Sequence, residues 1–338
     1  MIEAHEVKMD RIRIYDIIYA LVARDGREAA LFGDSAPAAR EAFSRSLVGN
    51  SFPELWLESP LAGDPWLDLH ALVSYGDVAE GDAVFSGQGG VYADALAWFA
   101  SQPRGAVRQL ALSYDSHAGD VDNPAVQLLV GGSDVSVPLG FLEAVGRSDA
   151  KQAYRAFVES MPESWYACYV GTFPGRHAAD GQRWLRVECI VGDIMQQAYA
   201  DDVAVLRDHL SCVGVTWLDD DELREMQELA RSPFPLELQF NVDARGKAQP
   251  VVSASVRFNS NDWMDLQRRM LVGRLISKVQ DWGMADERWE QFSGTVFAKR
   301  LTQGDEACLI SCIPAFLKIR WREGEPPCAK AYLVATAN

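Results

Sequence analysis

The chain of 338 residues carries a net charge of −16 at neutral pH, with 48% hydrophobic and 24% charged residues. This balance predicts a sizeable core and excludes an intrinsically disordered chain. The acidic surplus argues against a nucleic-acid partner or an anionic membrane partner, because both require a basic surface that displaces counterions.

The N-terminal segment mixes charged residues into its apolar pattern. Residues 1–26, MIEAHEVKMDRIRIYDIIYALVARDG, offer neither the apolar core nor the cleavage site of a signal peptide. No run elsewhere reaches the length of a membrane-spanning helix. We therefore expect a cytoplasmic protein without a membrane partner.

A helix–strand–turn–strand order recurs five times along the chain. Helical spacing covers residues 9–48, and alternation of apolar and polar residues then predicts hairpin strands at 52–59 and 66–74. Four further units follow in the same order. Their helices are predicted at 92–102, 139–161, 194–232 and 263–282, and their strands at 107–114, 125–131, 165–171, 184–191, 236–242, 251–258, 316–321 and 329–335. Residues 295–313 also have strand character, but the repeat gives them no place.

Each predicted hairpin leaves unpaired edges and has one apolar face. Five hairpins in succession pair all of these edges if the sheet closes into a barrel with the helices outside. The sequence therefore predicts one α/β domain over residues 1–338, a ten-stranded antiparallel barrel surrounded by helices. The alternative is an open sheet that acts as a scaffold for protein contacts, which predicts no internal chamber.

Helices on the outside require that the apolar positions of each strand face them, so that the alternate positions line the interior. In the first hairpin, Leu55 and Leu57 then face out, and the residues that face in are Glu54, Trp56, Glu58, Asp68 and His70. Later strands add Arg186, Glu188, Glu237, Gln239, Arg257, Lys318, Arg320, Lys330 and Tyr332. Such an interior is costly to desolvate, so it predicts a chamber filled by water or a ligand. For the strand at 165–171, the alternation does not decide which residues face the interior.

Four cations lie on three neighbouring C-terminal strands, with Tyr332 beside them: Arg257, Lys318, Arg320 and Lys330. In so acidic a protein, mutually repelling cations predict an anionic ligand, and phosphate oxygens match the donors of lysine and arginine. A solvated basic face is the alternative interpretation of the same cluster.

The repeated helix–hairpin units with an inward polar face resemble the aromatic prenyltransferases of the ABBA type, whose ten-stranded barrel holds an allylic diphosphate and an aromatic acceptor. The pattern covers nearly the whole chain. The FPELW motif at 52–56 is similar to the first-strand motif of the indole prenyltransferases. The FLKIR and AKAYL motifs, at 316–320 and 329–333, look like the closing strands of the cyanobactin-type peptide prenyltransferases.

The resemblance implies roles for several of the inward residues. Glu54 would orient or deprotonate the acceptor, and His70, on the inner face of its strand, is a candidate second acid–base group. The diphosphate would be bound by Arg186, Arg257, Lys318, Arg320, Lys330 and Tyr332. The rings that shield a carbocation or contact the acceptor would be Trp56, Tyr166, Tyr169 and Trp184.

The implied reaction moves a dimethylallyl or longer prenyl group from its diphosphate to a nucleophilic side chain of a peptide, with Trp or Tyr expected. It requires no cofactor, although Asp68 or Glu58 is available to a Mg²⁺ that bridges diphosphate oxygens. Two alternatives stay open. The acceptor is a small indole or phenol, or the chain is a catalytically silent barrel that binds an anionic or peptide ligand, since Asp68 and His70 replace a basic residue of the family.

Overall fold

The computed structural model describes residues 19–38, 40, 54–74, 91–103, 105–115, 125–130, 132–173, 185–303 and 306–337. Within these ranges the chain forms eleven strands. They are β1 Glu54–Pro60, β2 Asp68–Ser74, β3 Val107–Asp115, β4 Ala125–Val130, β5 Trp165–Thr172, β6 Leu185–Val191, β7 Leu236–Val242, β8 Ala248–Arg257, β9 Phe297–Gln303, β10 Glu306–Arg322 and β11 Glu325–Ala337.

All strand pairs are antiparallel, and the sheet closes on itself. The order runs from β11 through β1 to β8 and then to β10 and β9, and β10 also pairs with β11. Ten strands thus form the closed barrel, as predicted, and the open-sheet alternative is wrong. The unplaced segment at 295–313 is β9 together with the first part of β10. The 17-residue strand β10 pairs with β9 over 306–312 and with β8 over 316–322.

The described helices precede the first hairpin or lie between successive hairpins. They are α1 Arg27–Phe32, α2 Val91–Ser101, α3 Ser136–Ala144, α4 Lys151–Ser160, α5 Asp193–Asp201, α6 Val203–Cys212, α7 Asp220–Ala230, α8 Ser260–Met264, α9 Leu266–Asp281 and α10 Arg288–Ser293. None of them is long and apolar enough to cross a membrane. Most of the predicted helical segment at 9–48 lies outside the described residues.

The predicted helical stretches at 139–161 and 194–232 are divided at residues that start or stop a helix. Gly146, at φ 70°, follows the end of α3, so the stretch at 139–161 forms two helices. The Asp202 side chain accepts a hydrogen bond from the Ala204 amide and starts α6. Asp219 and Glu222 form a capping box that starts α7.

The hydrophobic core lies between the outer face of the barrel and the helices. Leu57, Val187 and Leu317 are completely buried on that face, as the alternation predicted. Phe157 of α4 packs against Phe240 of β7, with ring centroids 5.4 Å apart. Because the apolar side chains are used on the outside, the inward positions are free to be polar.

A β-bulge determines which side chains of β5 face the interior of the barrel. Ala167 pairs with Cys189 and Tyr169 pairs with Glu188, so that Cys168 is the extra residue. An extra residue reverses the alternation. Tyr166 and Tyr169, three positions apart, therefore both face the interior, whereas Trp165 faces out and stacks on Phe240.

Gly246 allows the β7–β8 turn to contact α4. Its φ is 79°, and a Cβ atom there would lie 2.6 Å from the Ala156 Cβ and 2.8 Å from the Ala153 carbonyl oxygen. We expect Gly246→Ala to lower the free energy of unfolding by about 2–4 kcal/mol, from left-handed strain and overpacking together. Urea unfolding measures this loss.

Gly63→Ala is the matched control, because Gly63 has φ 76° and no atom within 4 Å of the added Cβ. It should cost only the strain, about 1–2 kcal/mol. Equal losses for the two variants would show that the contact with α4 does not require glycine.

Candidate active site

A chamber of about 920 Å³, including its open mouth, occupies the interior of the barrel. Every strand of the closed barrel contributes to its wall. The lining residues are Trp56, Glu58, His70, Arg108, Gln127, Leu129, Val130, Tyr166, Cys168, Tyr169, Arg186, Glu188, Ile190, Glu237, Gln239, Ser255, Arg257, Phe316, Lys318 and Tyr332. The mixture of cations, carboxyl groups and rings is the polar interior that the sequence predicted.

Glu58 is the centre of a hydrogen-bonded network on one side of the chamber. Lys330 Nζ donates to its Oε1 at 2.5 Å, and His70 Nε2 lies 3.0 Å from its Oε2. The other ring nitrogen of His70 lies 2.6 Å from Ser113 Oγ, which also accepts from Gln127 Nε2 at 2.6 Å. Burial would raise the pKa of Glu58, but Lys330 and His70 hold that pKa well below its usual range. Glu58 is therefore ionised.

Cations on the other side of the chamber are held by polar side chains. Lys318 Nζ donates to Gln239 Oε1 at 2.6 Å, and Gln239 Nε2 donates to Glu188 Oε2 at 2.6 Å. Arg257 Nη1 lies 3.7 Å from Glu237 Oε1, with 49% of the Arg257 side chain exposed at the mouth. These cations are positioned to bind an anion that enters the chamber.

Two ionisable side chains of the chamber, Lys318 and Glu237, have pKa values near 8. Burial lowers the pKa of Lys318 to about 8, with Arg186 acting in the same direction and Glu188 opposing. Burial and the Glu188 carboxylate raise the pKa of Glu237 to about 8, against the attraction of Arg257. At pH 7 the wall therefore carries a charged Lys318 and a neutral Glu237.

Arg186 lies on the same inner face and stacks on an aromatic ring. Its guanidinium carbon is 4.2 Å from the centroid of the Phe173 ring, and its Nε donates to Asn241 Oδ1 at 3.4 Å. Arg186 adds a third cation to the wall formed by Lys318 and Arg257, and we call these three residues the cationic wall.

Aromatic rings cluster next to the cationic wall. The ring centroids of Trp56 and Phe316 are 4.9 Å apart, and those of His70 and Tyr332 are 5.8 Å apart. Lys318 Nζ lies 5.8 Å from the Tyr332 ring. Burial and the nearby Glu58 carboxylate raise the pKa of Tyr332, so its hydroxyl stays protonated. These faces are suited to contact a cationic or aromatic ligand.

Nine residues that the sequence assigned to the site line the chamber together. They are Trp56, Glu58, His70, Tyr166, Tyr169, Arg186, Arg257, Lys318 and Tyr332. Lys318 faces the chamber, so the interpretation of the basic cluster as a solvated outer face does not hold for it.

Four other assigned residues do not line the chamber. Glu54, at the start of β1, accepts hydrogen bonds from Trp56 Nε1 at 2.5 Å and from Gln109 Nε2 at 3.4 Å. Lys330 Nζ is held between Glu58 and the ring of Trp66, 4.2 Å from its centroid. Asp68 and Arg320 are outside the lining. Trp184, like residues 52 and 53 of the first-strand motif, lies outside the described residues.

Sequence reasoning missed several lining residues. Arg108 is the extra residue of a second bulge, between Val107 and Gln109, where alternation cannot assign a side. Gln127 lies in the apolar run AVQLLV, which gives no pattern. Phe316, by contrast, has the same parity as Lys318, so the alternation rule could have placed it inside.

The two carboxylates predicted as magnesium ligands do not fit that ion. Both oxygens of Glu58 are engaged, one by Lys330 and one by His70. Asp68 is buried and does not line the chamber. Over the described part of the chain, no three His, Cys, Asp or Glu residues are grouped so as to hold a metal ion.

Solved structures share this architecture. The prenyltransferase PriB in its apo form aligns with a TM-score of 0.57 and 14% identity over 95% of each chain. The 6-dimethylallyltryptophan synthase from Micromonospora olivasterospora, in complex with DMASPP and Trp, aligns with a TM-score of 0.55 and 15% identity over 94% of this chain and 95% of that chain. The 5-dimethylallyltryptophan synthase from Streptomyces coelicolor gives 0.54 and 14%, over 94% and 96%.

Sequence comparison adds no relative to these structures. No family model matches the chain. No curated protein matches it. The structural likeness establishes the ABBA prenyltransferase fold, the closed ten-stranded barrel with helices outside.

Arg257 lines the chamber and Arg320 does not, so the two arginines should differ in their effect on anion binding. We expect Arg257→Ala to weaken binding of inorganic pyrophosphate about tenfold or more, because a charge-assisted hydrogen bond contributes about 1.5–3 kcal/mol. Arg320→Ala is the control and should change the affinity by less than about twofold, since its charge lies outside the cavity and is screened. Calorimetric titration measures both, and equal effects would remove Arg257 from the anion site.

Titration of the chamber predicts the pH dependence of anion binding. Between pH 7 and 9, Lys318 loses its positive charge and Glu237 gains a negative one. The first change removes an attraction for an anion, and the second adds a repulsion. The affinity for pyrophosphate should therefore fall by about tenfold or more over this range. Pyrophosphate itself becomes more negative at high pH, which acts in the opposite direction. A constant or rising affinity would contradict the chamber site.

Proposed function

We propose that the protein transfers a prenyl group from an allylic diphosphate to an aromatic acceptor. The observation that carries this proposal is the arrangement of one chamber, in which the cationic wall, a cluster of rings and an ionised glutamate face the same space. The cationic wall binds the anionic leaving group, the rings stabilise a carbocation, and the glutamate accepts the proton of the acceptor. The fold shared with solved prenyltransferases supports the same activity.

The cationic wall stabilises the departing diphosphate. As the allylic carbon–oxygen bond breaks, its electron pair remains on the diphosphate oxygen, where negative charge develops. Lys318, Arg257 and Arg186 donate to phosphate oxygens in a partly buried site, where such interactions are stronger than in water. Lys330 stays a proposed contributor from the sequence and acts from its position beside Glu58. Arg320, which lies outside the chamber lining, contributes at most a screened charge at longer range.

The aromatic rings stabilise the prenyl cation and keep water from it. Trp56 and Tyr332 lie on one side of the chamber, and Tyr166 and Tyr169 lie on β5 across the barrel. Their faces attract a cation through the ring quadrupole. Exclusion of water favours capture of the cation by the acceptor over hydrolysis.

A glutamate on β1 accepts the proton of the acceptor. Glu54, implied by the first-strand motif, is bound by Trp56 Nε1, and Glu58 is the ionised partner of His70 further along the same strand. A carboxylate beside the acceptor hydrogen-bonds its N–H or O–H and takes up the proton as the new bond forms. His70, which joins Glu58 to Ser113, is the proposed second acid–base group.

The proposed acceptor is a Trp or Tyr side chain, with a peptide as the finer proposal. One of the similar solved structures holds Trp together with DMASPP, which supports an indole acceptor. The peptide proposal rests on the C-terminal motifs that look like those of the cyanobactin-type enzymes. A free indole or phenol is the second candidate, since a chamber walled by all ten strands of the barrel suits a small acceptor.

Incubation of the purified protein with dimethylallyl diphosphate and one acceptor at a time tests the proposal. The acceptors are free tryptophan, free tyrosine, and peptides that contain one or the other. We expect mass spectrometry to detect a product that carries one added isoprene unit. Glu54→Gln and Glu58→Gln, assayed in parallel, identify the proton acceptor by the larger loss of rate, about 10²-fold or more.

Glu163→Gln is the control for these variants, because Glu163 is exposed outside the barrel, and it should keep the wild-type rate. If the protein binds dimethylallyl diphosphate but modifies none of the acceptors, the proposed activity is wrong and the protein is a catalytically silent barrel that binds a ligand.

A further inference from the structure

Two carboxyl groups of the chamber have no part in the reaction described so far. Glu188 pairs with Gln239 and Ile190 pairs with Glu237, so that Glu188 and Glu237 are diagonal neighbours on the inner face. Glu237 is 7% exposed. We call Glu188 and Glu237 the carboxyl pair.

The carboxyl pair joins two residues of the cationic wall. At one end, Gln239 accepts from Lys318 and donates to Glu188, with both distances 2.6 Å. At the other end, Arg257 lies 3.7 Å from Glu237. The pair therefore lies in the polar wall that connects the two cations proposed to bind the diphosphate.

A buried pair of carboxyl groups retains a proton, because two adjacent negative charges repel each other in a poorly solvated site. Burial is the larger cause and the Glu188 charge the second cause of the raised pKa of Glu237, about 8. Other titratable or charged groups that interact with the pair or its neighbours come from β6 itself and from five more strands. They are Glu58, Cys168, Tyr169, Arg186, Arg257, Lys318 and Tyr332.

Among these neighbours, Lys318 is the group whose titration must be separated from that of Glu237. Burial raises the pKa values of Cys168 and Tyr169, which stay neutral around pH 8. The pKa of Lys318, by contrast, is also about 8.

We propose that Glu237, held in the carboxyl pair, is the acid that protonates the departing diphosphate. This inference rests on the prenyl transfer proposed above. When the allylic carbon–oxygen bond breaks, the electron pair stays on the diphosphate, and the carboxyl proton of Glu237 moves to a diphosphate oxygen. The acceptor then loses one proton to the glutamate on β1 as the new bond forms, that glutamate releases the proton to solvent, and Glu237 regains a proton from solvent. In net terms one proton passes from acceptor to diphosphate, so atoms and charge balance.

Diphosphate binding favours the protonated form of Glu237. Lys318 and Arg257 then donate to phosphate oxygens, so the carboxyl pair loses part of its compensating charge. At the same time it gains an anionic neighbour. Both changes disfavour the Glu237 carboxylate, so the proton stays until negative charge develops on the leaving group.

Leaving-group basicity tests this role directly. We expect Glu237→Gln to lower kcat about 10²–10⁴-fold with a dimethylallyl methylenebisphosphonate donor. With the difluoromethylene analogue, which has a similar shape and a less basic leaving group, the defect should shrink at least about tenfold. The same defect with both donors would overturn the proposal, because loss of packing or of donor binding does not depend on leaving-group basicity.

The pH dependence of kcat at alkaline pH, measured with saturating donor, provides a second test. Wild-type kcat should fall at alkaline pH with a midpoint above about 8, because the bound diphosphate raises the pKa of Glu237 further. The fall should begin at lower pH in Glu188→Gln, where the charge that raises the pKa of Glu237 is removed. Lys318→Arg keeps a positive charge at all these pH values. A fall that persists in Lys318→Arg supports Glu237 as its cause, and a fall that disappears there overturns it.

Calorimetry separates failure of this inference from failure of the proposed function. At pH 9, binding of dimethylallyl thiolodiphosphate in two buffers of different ionisation enthalpy should show uptake of up to about one more proton in wild type than in Glu237→Gln. Equal uptake would exclude a protonated pair in the complex. If wild type binds the analogue but prenylates no acceptor, the proposed function fails, and the calorimetric result still decides whether the pair carries the proton.

Discussion

The structure depends on the closure of a ten-stranded sheet whose apolar side chains face outward. An antiparallel sheet buries one face, and here the helices bury the outer face, so Leu57, Val187 and Leu317 pack outside the barrel. The inner face is then released from the requirement to be hydrophobic. Closure also pairs every barrel strand on both sides, which leaves no exposed edge around the chamber.

The chamber can contain charges because they are arranged with partners. Glu58 is compensated by Lys330 and His70, and Arg257 lies beside Glu237. Lys318 donates a hydrogen bond to the neutral amide oxygen of Gln239, and burial lowers its pKa. Lys318 and Arg257 are thus held in place by polar partners, and an entering anion with several oxygens would form charge-assisted hydrogen bonds with them.

The fold and much of the chamber could be predicted from the sequence, because strict alternation survives in most strands. In β6, LRVECIV places Arg186 and Glu188 inside without ambiguity, and the same rule places Lys318 and Tyr332. Prediction failed where the backbone departs from alternation, as at the bulges of Cys168 and Arg108, because an extra residue leaves no mark in the apolar pattern.

Contacts between distant strands were beyond sequence reasoning for a different reason. Lys330 has the correct parity for the chamber, yet its ammonium group is held by Glu58 and the ring of Trp66. The link from Lys318 through Gln239 and Glu188 to the neighbourhood of Glu237 requires four strands, β6, β7, β8 and β10, to be in register. Alternation gives the side on which a residue lies, and only the register gives its partner.

A crystal structure with bound dimethylallyl thiolodiphosphate tests the central claim most directly. The account predicts the diphosphate inside the barrel, with its oxygens within hydrogen-bonding distance of Lys318 and Arg257 and its prenyl chain against the rings of Trp56 and Tyr332. A diphosphate bound outside the barrel, with the chamber holding only water, would contradict it.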